Sequence, residues 1–225
     1  MSMTITEKII SRAAGAPAVR GDVVWTKLNR VSLIDSSNFA QWAGFFDRHA
    51  LTVWDKDRVV ITFDHLYRTS GSLPGPLPLI RKWARRQGIP ASNFFDIGRH
   101  GLSHQVPAEA GFVLPGTVYA AADTQGPTMG AFNCFAFATL DAIPYIMATG
   151  DTWLRVPECI RVTLTGELPK GILGKDIYFR LMKDLDGISQ GRVIEFDGPG
   201  VASLPIDVRM AVANGAPHMG AVAMV

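Results

Sequence analysis

Four places in this 225-residue chain set groups capable of proton chemistry beside turns: Asp64-His65, His104, Asp123 and His218. Imidazole titrates near neutrality and a carboxylate well below it, so the two together can hold a proton and pass it on. Asp123 has the clearest setting. Residues 117–122 (TVYAAA) read as a short buried strand, and a Gly/Pro turn follows. That places Asp123, Thr124 and Gln125 at the strand's carboxyl end, the edge at which open α/β sheets bind ligands. An aspartate in this position either caps the next segment or works in a site.

The same pattern recurs upstream. Residues 58–63 (RVVITF) form an apolar run ending in Asp64-His65, and residues 93–97 (NFFDI) lead to Arg99, His100 and then His104-Gln105. In a parallel sheet these strand ends converge along one edge. Arg99 and His100 either bind an anion or border the loop. His49 falls inside a predicted helix and is read as structural. Cys134 and Cys159 match no metal or redox spacing and sit in apolar surroundings, where a free cysteine behaves as a small buried hydrophobe. Phe132, Phe135, Phe137 and Trp153 are read first as core, with an aromatic wall to a pocket as the alternative.

Strands and helices alternate around these groups. Helices are expected at 3–14 with Thr6 as cap, at 37–49 capped by Ser36 or Ser37, and at 79–87, 175–185 and 205–214. Strands are expected at 22–29, 31–34, 160–165 and 192–196 besides those above. A Gly/Pro-rich loop spans 69–78, and Pro144 breaks residues 130–150 into two helical pieces. On one face of helix 175–185 lie Ile177, Leu181 and Leu185. This alternation predicts an α/β fold with a largely parallel sheet, and the length allows a single compact unit over residues 1–225 or two intimately packed smaller ones.

With 48% hydrophobic and 19% charged residues and a net charge of +2, the composition is that of a globular protein without a broad basic field, so neither nucleic acid nor membrane is an expected partner. Arg81-Lys82 and Arg85-Arg86 share a helix with Trp83 and read as a solvated face with a packing side. The amino terminus lacks the features of a signal peptide, which gives a cytoplasmic expectation.

The segments MTITEKIISRAAG, VVITFDH, NFFDIGR, HQVPAEAGFVLPGT, GAF, MATGDTWLRVPE, LPKGILGKDI, VIEFDGPGVASLP and RMAVANGA, in this order, resemble the aconitase and 3-isopropylmalate dehydratase large-subunit family. The resemblance implies the α/β/α domains of the amino-terminal half of enzymes that hydrate and dehydrate hydroxy-carboxylic acids at a [4Fe–4S] cluster. It further implies that the three cysteine ligands and the swivelling domain lie beyond the segment present, and that neither Cys134 nor Cys159 is a ligand. No cluster or other cofactor is expected from this chain alone.

The resemblance also assigns positions. Asp64-His65 and His104-Gln105 match pairs in the family, with His100 an extra residue nearby. Asp123 matches the aspartate of an Asp-Ser-His-Thr motif whose serine and histidine are here Thr124 and Gln125. Asn214 matches the asparagine of Cys-Asn-Met, His218 replaces a cluster-facing glutamate, and Ile34-Asp35-Ser36 replaces His-Asp-Gly. The expected acid/base groups are thus Asp123, His65, His104 and His218. Asp64, Arg99, Gln105, Thr124, Gln125 and Asn214 are the expected substrate contacts.

Three functions follow as expectations. The first is a metal-free acid/base enzyme, recruited from a hydro-lyase fold, that isomerises, dehydrates or condenses a small organic or amino-acid-derived substrate. In the second, the chain is one half of a split iron–sulfur dehydratase whose partner supplies the cysteines. The third is a non-catalytic binding module. A homodimer burying the terminal HMGAVAMV, or a partner chain, is expected to cover the face left by absent domains.

Overall fold

A computed structural model describes residues 3–66, 75–99 and 101–225. Most of the expected loop at 69–78, and His100, lie outside the described residues.

Five short strands form a parallel sheet: β2 (Arg30–Ile34), β3 (Val59–Thr62), β4 (Phe94–Phe95), β5 (Val118–Ala121) and β6 (Phe135–Ala138), in the order β4-β3-β2-β5-β6. Their sequences are runs of Val, Ile, Phe and Ala because a parallel strand is covered on both faces. β3 and β5 are buried at every position.

Alternate residues serve different cores. Val118 and Ala120 join Val31, Leu33 and Ile61 in the main cluster, which is closed by α1 (Ile5–Ala14), α2 (Phe39–Arg48), α3 (Leu77–Arg86) and α5 (Ile143–Thr149). Tyr119 and Ala121 point the other way, toward Met129, Cys134 and Ala136. Val60 and Phe95 meet Val106 of the short helix α4 (Val106–Glu109). The result is a three-layer α/β arrangement.

A second parallel sheet, in the order β10-β9-β8, contains β8 (Cys159–Thr163), β9 (Val193–Asp197) and β10 (Ala223–Met224). Helices α6 (Gly174–Asp184) and α8 (Ile206–Asn214) pack on it through Leu181, Val212 and Ala213, with Ile177 and Leu185 beside them. The short helix α7 (Pro199–Ser203) occupies what the sequence presents as a Gly-Pro-Gly turn. The antiparallel ribbon of β1 (Val23–Lys27) and β7 (Asp151–Arg155) sets Trp25 opposite Trp153, both exposed. Trp153 is therefore on the surface, while Phe135 and Phe137 belong to the core.

Several expectations need correction. Residues 130–150 are not two helical pieces. Phe135–Ala138 is an inner-layer strand, and Pro144 stands in the first turn of α5, where its missing N–H costs nothing. The cap of α1 is Thr4, whose Oγ1 accepts from Glu7 N at 3.1 Å while Glu7 Oε2 accepts from Thr4 N at 2.8 Å, a reciprocal capping box that Thr6 does not make. Neither Ser36 nor Ser37 is the cap of α2; that position is Asn38, and Ser36 Oγ accepts from Asn38 N at 3.1 Å.

Residues 223–225 of the apolar ending are covered within this chain itself. Ala223 and Met224 pair with β9 and are buried with Val225 inside the protomer, because a carboxyl-terminal strand next to β9 finds backbone partners there. Trp83 is buried in α3, while Arg81 and Arg86 turn outward to Asp96 and Asp47.

Candidate active site

In the five-stranded sheet the connections from β2 run one way to β3 and β4, and the chain then returns to the other side of β2 with β5 and β6. The direction changes between β2 and β5, which makes the carboxyl ends of those strands the topological switch point. Four loops deliver polar groups to it. Asp35 follows β2, Asp64-His65 follow β3, Asp123 follows β5, and His104 precedes α4 in the segment after β4.

These side chains form one continuous chain of contacts. Asp64 Oδ1 lies 2.7 Å from His65 Nδ1, His65 Nε2 lies 2.9 Å from Asp123 Oδ2, and Asp123 Oδ1 lies 2.5 Å from His104 Nε2. An ionised carboxylate only accepts, so both ring nitrogens of His65 must carry protons when the two contacts are hydrogen bonds. Burial alone would lower the basicity of His65. The hydrogen bond to Asp64 and the charges of Asp64, Asp123 and Asp35 outweigh it, and its pKa is raised above 6.5.

Asp123 shows the mirror-image balance. Its burial would push the carboxyl up, yet the His104 hydrogen bond, the Gln125 backbone N–H at 2.8 Å and the charges of His104 and His65 hold it below 3.8. The pair is thus stabilised as imidazolium and carboxylate. His104 Nδ1 makes no hydrogen bond among the described residues, which leaves it as the nitrogen able to exchange a proton with a bound molecule.

The backbone beneath these groups is fixed from below. The fully buried Asp35 takes Asp64 N at 2.9 Å and His65 N at 2.8 Å on Oδ1, and Leu66 N at 2.6 Å on Oδ2. Asp64 Oδ2 accepts from Ser103 N at 2.6 Å, tying the His65 loop to the residue before His104. Asp35, Asp64 and His65 are the donors close enough together to suggest a metal site among the described residues, but their carboxylates are already taken up by these N–H groups.

A second polar group stands alongside. Thr124 Oγ1 donates to Gln125 Oε1 at 2.6 Å, and Gln125 Nε2 lies 3.4 Å from His218 Nε2. His218 is held by a 3-10 turn, Ala216–Met219, behind Gly215, where any Cβ would strike the Tyr178 ring at 2.1 Å. Asn214 Nδ2 donates to Thr128 Oγ1 at 2.9 Å, and Thr128 Oγ1 donates to the Gln125 carbonyl at 2.6 Å, so Asn214 supports the Asp123 loop from the second sheet. Thr124 and Pro217 also line a cleft of about 920 Å³ between the two sheets, whose walls include Arg155, Glu158 and Arg192.

Two expected contacts are not brought to this cluster. Arg99 turns back onto its own loop, donating to Ala91 O at 2.6 Å with its guanidinium over the Phe95 ring, because nearby carbonyls satisfy it. Gln105 is exposed at the start of α4. Conversely, Asp35 and Thr128 carry the site's scaffold and were not among the expected site residues. The signal for Asp35 is the one already used for Asp123, an aspartate directly after an apolar strand.

The cysteines are separate from the site and from each other. Cys134 is buried before β6, donates to Met129 O at 3.0 Å, and has its thiol pushed up to about 12 by burial. Cys159 opens β8 in the other sheet, 3.3 Å from Glu195 Oε1, and burial raises it to about 11. Cluster ligands must be converging thiolates. These two thiols do not fit that requirement.

Residues 78–225 match the aconitase family (aconitate hydratase). The chain is 36% identical over 223 residues to the 3-isopropylmalate dehydratase large subunit of Mycolicibacterium smegmatis, covering 95% of this chain and 50% of that protein. It is 34% identical over 226 residues to 3-isopropylmalate dehydratase large subunit 1 of Methanopyrus kandleri, covering 98% and 53% respectively. A probable methanogen homoaconitase large subunit of Methanosarcina mazei is 39% identical over 173 residues, covering 75% of this chain and 43% of that protein. The chain spans about half the length of these relatives. No helix among the described residues is long and apolar enough to cross a membrane.

Proposed function

The chain belongs to the aconitase family, and from that premise we propose that it contributes the acid/base part of a hydro-lyase centre acting on a hydroxylated di- or tricarboxylate. The cluster thiolates then come from polypeptide outside these 225 residues, since Cys134 and Cys159 do not fit the role. The observation that carries this reading is the unbroken Asp64–His65–Asp123–His104 line at the switch point of the sheet.

Each group has a part in it. His65, gripped at both nitrogens, is a fixed positive charge that attracts a substrate carboxylate and stabilises Asp123 as an anion. Asp123 orients His104 by accepting from Nε2, which leaves Nδ1 to give a proton to a departing hydroxyl and to take one back from water in the reverse direction. Asp64 holds the far side of His65. Half-buried Gln125 and exposed His218, beside the relay, are positioned to contact the remainder of the substrate.

The relatives named as dehydratase and homoaconitase large subunits favour this reading over a metal-free enzyme. The latter stands as a second reading, supported by the Gln125–His218 pair, which adds a titratable group beside the relay without any thiolate. It retains the expected homodimer, whereas the first reading places a partner chain over the cleft. In either case the substrate is a small molecule.

Anaerobic purification of the chain alone, and co-expressed with a cysteine-bearing protein encoded next to it, separates the two. The proposal expects cluster absorbance and hydro-lyase turnover from the co-expressed pair and neither from the chain alone. Turnover of a hydroxy acid by the purified chain alone, without iron, would establish the second reading instead.

A further inference from the structure

Asp35 is a fully buried carboxylate, and among the described residues the one cationic side chain within salt-bridge distance of it is His65, whose Nδ1 is 3.9 Å away. Burying a charge is costly unless hydrogen bonds replace its hydration. Here three consecutive backbone N–H groups, from Asp64, His65 and Leu66, supply that replacement at 2.6–2.9 Å. All three belong to the loop that carries His65. None of them is needed to pair β2 with β3, whose ladder ends at Ile34 and Thr62.

We infer that Asp35 is the positioning residue of the relay: by gathering these three N–H groups it fixes the loop so that His65 meets Asp64 at one ring nitrogen and Asp123 at the other. The inference rests on the relay described above but concerns a residue that touches neither substrate nor reacting atoms. A loop after a strand ordinarily has freedom to turn its side chains toward water. Wrapping it around a buried anion removes that freedom and directs the His65 ring across the carboxyl end of β2 toward β5. The Ser103 N–H on Asp64 Oδ2 adds a brace from the other side.

The charge of Asp35 also matters to His65. Among the described residues, the titratable groups facing its ring are Asp35, Asp64 and Asp123, with His104 beyond Asp123 at a ring separation of 6.4 Å. Three carboxylates thus surround one imidazole, and Asp35 is the one that makes no hydrogen bond to it. Replacing Asp35 by Asn keeps the volume, removes a charge and turns one acceptor oxygen into an N–H donor that opposes a backbone donor.

The test is nitrogen-15 NMR of the histidines, with amide hydrogen exchange, in the wild type, D35N and D64N. In the wild type the amides of Asp64, His65 and Leu66 are expected to exchange slowly for loop residues, and His65 to titrate above the ordinary histidine value of about 6.5. In D35N at least one of those amides should lose tenfold or more of its protection, and the His65 pKa should fall by about one unit, the lower end of the effect of a nearby opposite charge. D64N should lower the His65 pKa while leaving the Leu66 amide protected. His49, packed against Phe45 on α2, serves as an internal control that a general loosening would move as well.

A wild-type His65 that titrates at or below the ordinary histidine value would refute the relay itself. A raised His65 that D35N leaves unchanged, with the loop amides still protected, would overturn the role of Asp35 alone. If D35N does not fold, the wild-type amides still decide, because rapid exchange at 64–66 contradicts the inference.

Discussion

His65 Nε2 lies 2.9 Å from Asp123 Oδ2, although the two residues end different strands and stand 58 positions apart, 123 minus 65, in sequence. The contact crosses the end of β2, the central strand between β3 and β5. It joins two carboxylate–histidine pairs, Asp64–His65 and Asp123–His104, into one line. It is the direct side-chain link between the β3 loop and the β5 loop, beside the indirect one through Ser103 N on Asp64 and His104 on Asp123.

His104 is assigned as the end that exchanges protons, so H104Q in the assembled enzyme should lower kcat by about two to four orders of magnitude, the range of a lost general acid or base. KM should change much less, because the positive charge of His65 remains. Steady-state kinetics with a hydroxy-carboxylic acid substrate checks this. A variant that raised KM at unchanged kcat would make His104 a binding residue instead.

Stability should depend on pH through the same groups. His65 has its folded pKa raised above 6.5, so its contribution is fully present below the unfolded value and is lost as pH rises through the folded one. Asp123 has its folded pKa lowered below 3.8, so its contribution is present above the unfolded value and is lost as pH falls through the folded one. Urea midpoints should therefore be highest on the plateau between about pH 4 and 6.5 and decline on either side of it. H65Q should flatten the alkaline decline and D123N the acidic one.

The Asp123 loop leans on the end of the chain. A Cβ at Gly130 would come 1.7 Å from the Met224 carbonyl oxygen, a backbone atom that cannot swing aside. G130A should therefore cost about 1–3 kcal/mol or more, as overpacking does, and should loosen β10 from the 3-10 turn Gly126–Phe132. Thermal unfolding measures the loss. An unchanged midpoint would mean that this close approach is not kept in solution.

The two thiols offer a different check. C134A and C159A should leave the cluster absorbance of the co-expressed pair unchanged, since neither thiol converges on the site. Loss of absorbance in either well-folded variant would reassign that cysteine as a ligand.

Much of this was legible in the chain because parallel strands announce themselves as apolar runs, and the aspartates and histidines after them stand out against those runs. The residues brought together, Asp64, His65, His104 and Asp123, follow from that pattern and from the family's motifs. What was not legible depends on tertiary choice. Residues 135–138 pass for helix because Phe and Ala suit either state, and only pairing with β5 settles them. Arg99 reads as an anion binder because its distance to the Ala91 carbonyl is not encoded in spacing. The terminal Ala223-Met224 reads as bare surface until β9 is seen beside it. Asp35 does not stand out in the sequence, because a capping or turn role is the ordinary one for an aspartate after a strand.

The turnover of D123N in the assembled, cluster-loaded enzyme tests the account most directly. Asp123 is the junction of the relay, so its amide should lower kcat about 10²- to 10⁴-fold at unchanged cluster content, with thermal stability near neutral pH reduced by no more than the loss of its contacts to His65 and His104. A D123N enzyme that turns over at the wild-type rate, with its cluster intact, would contradict the claim that this chain supplies the acid/base chemistry.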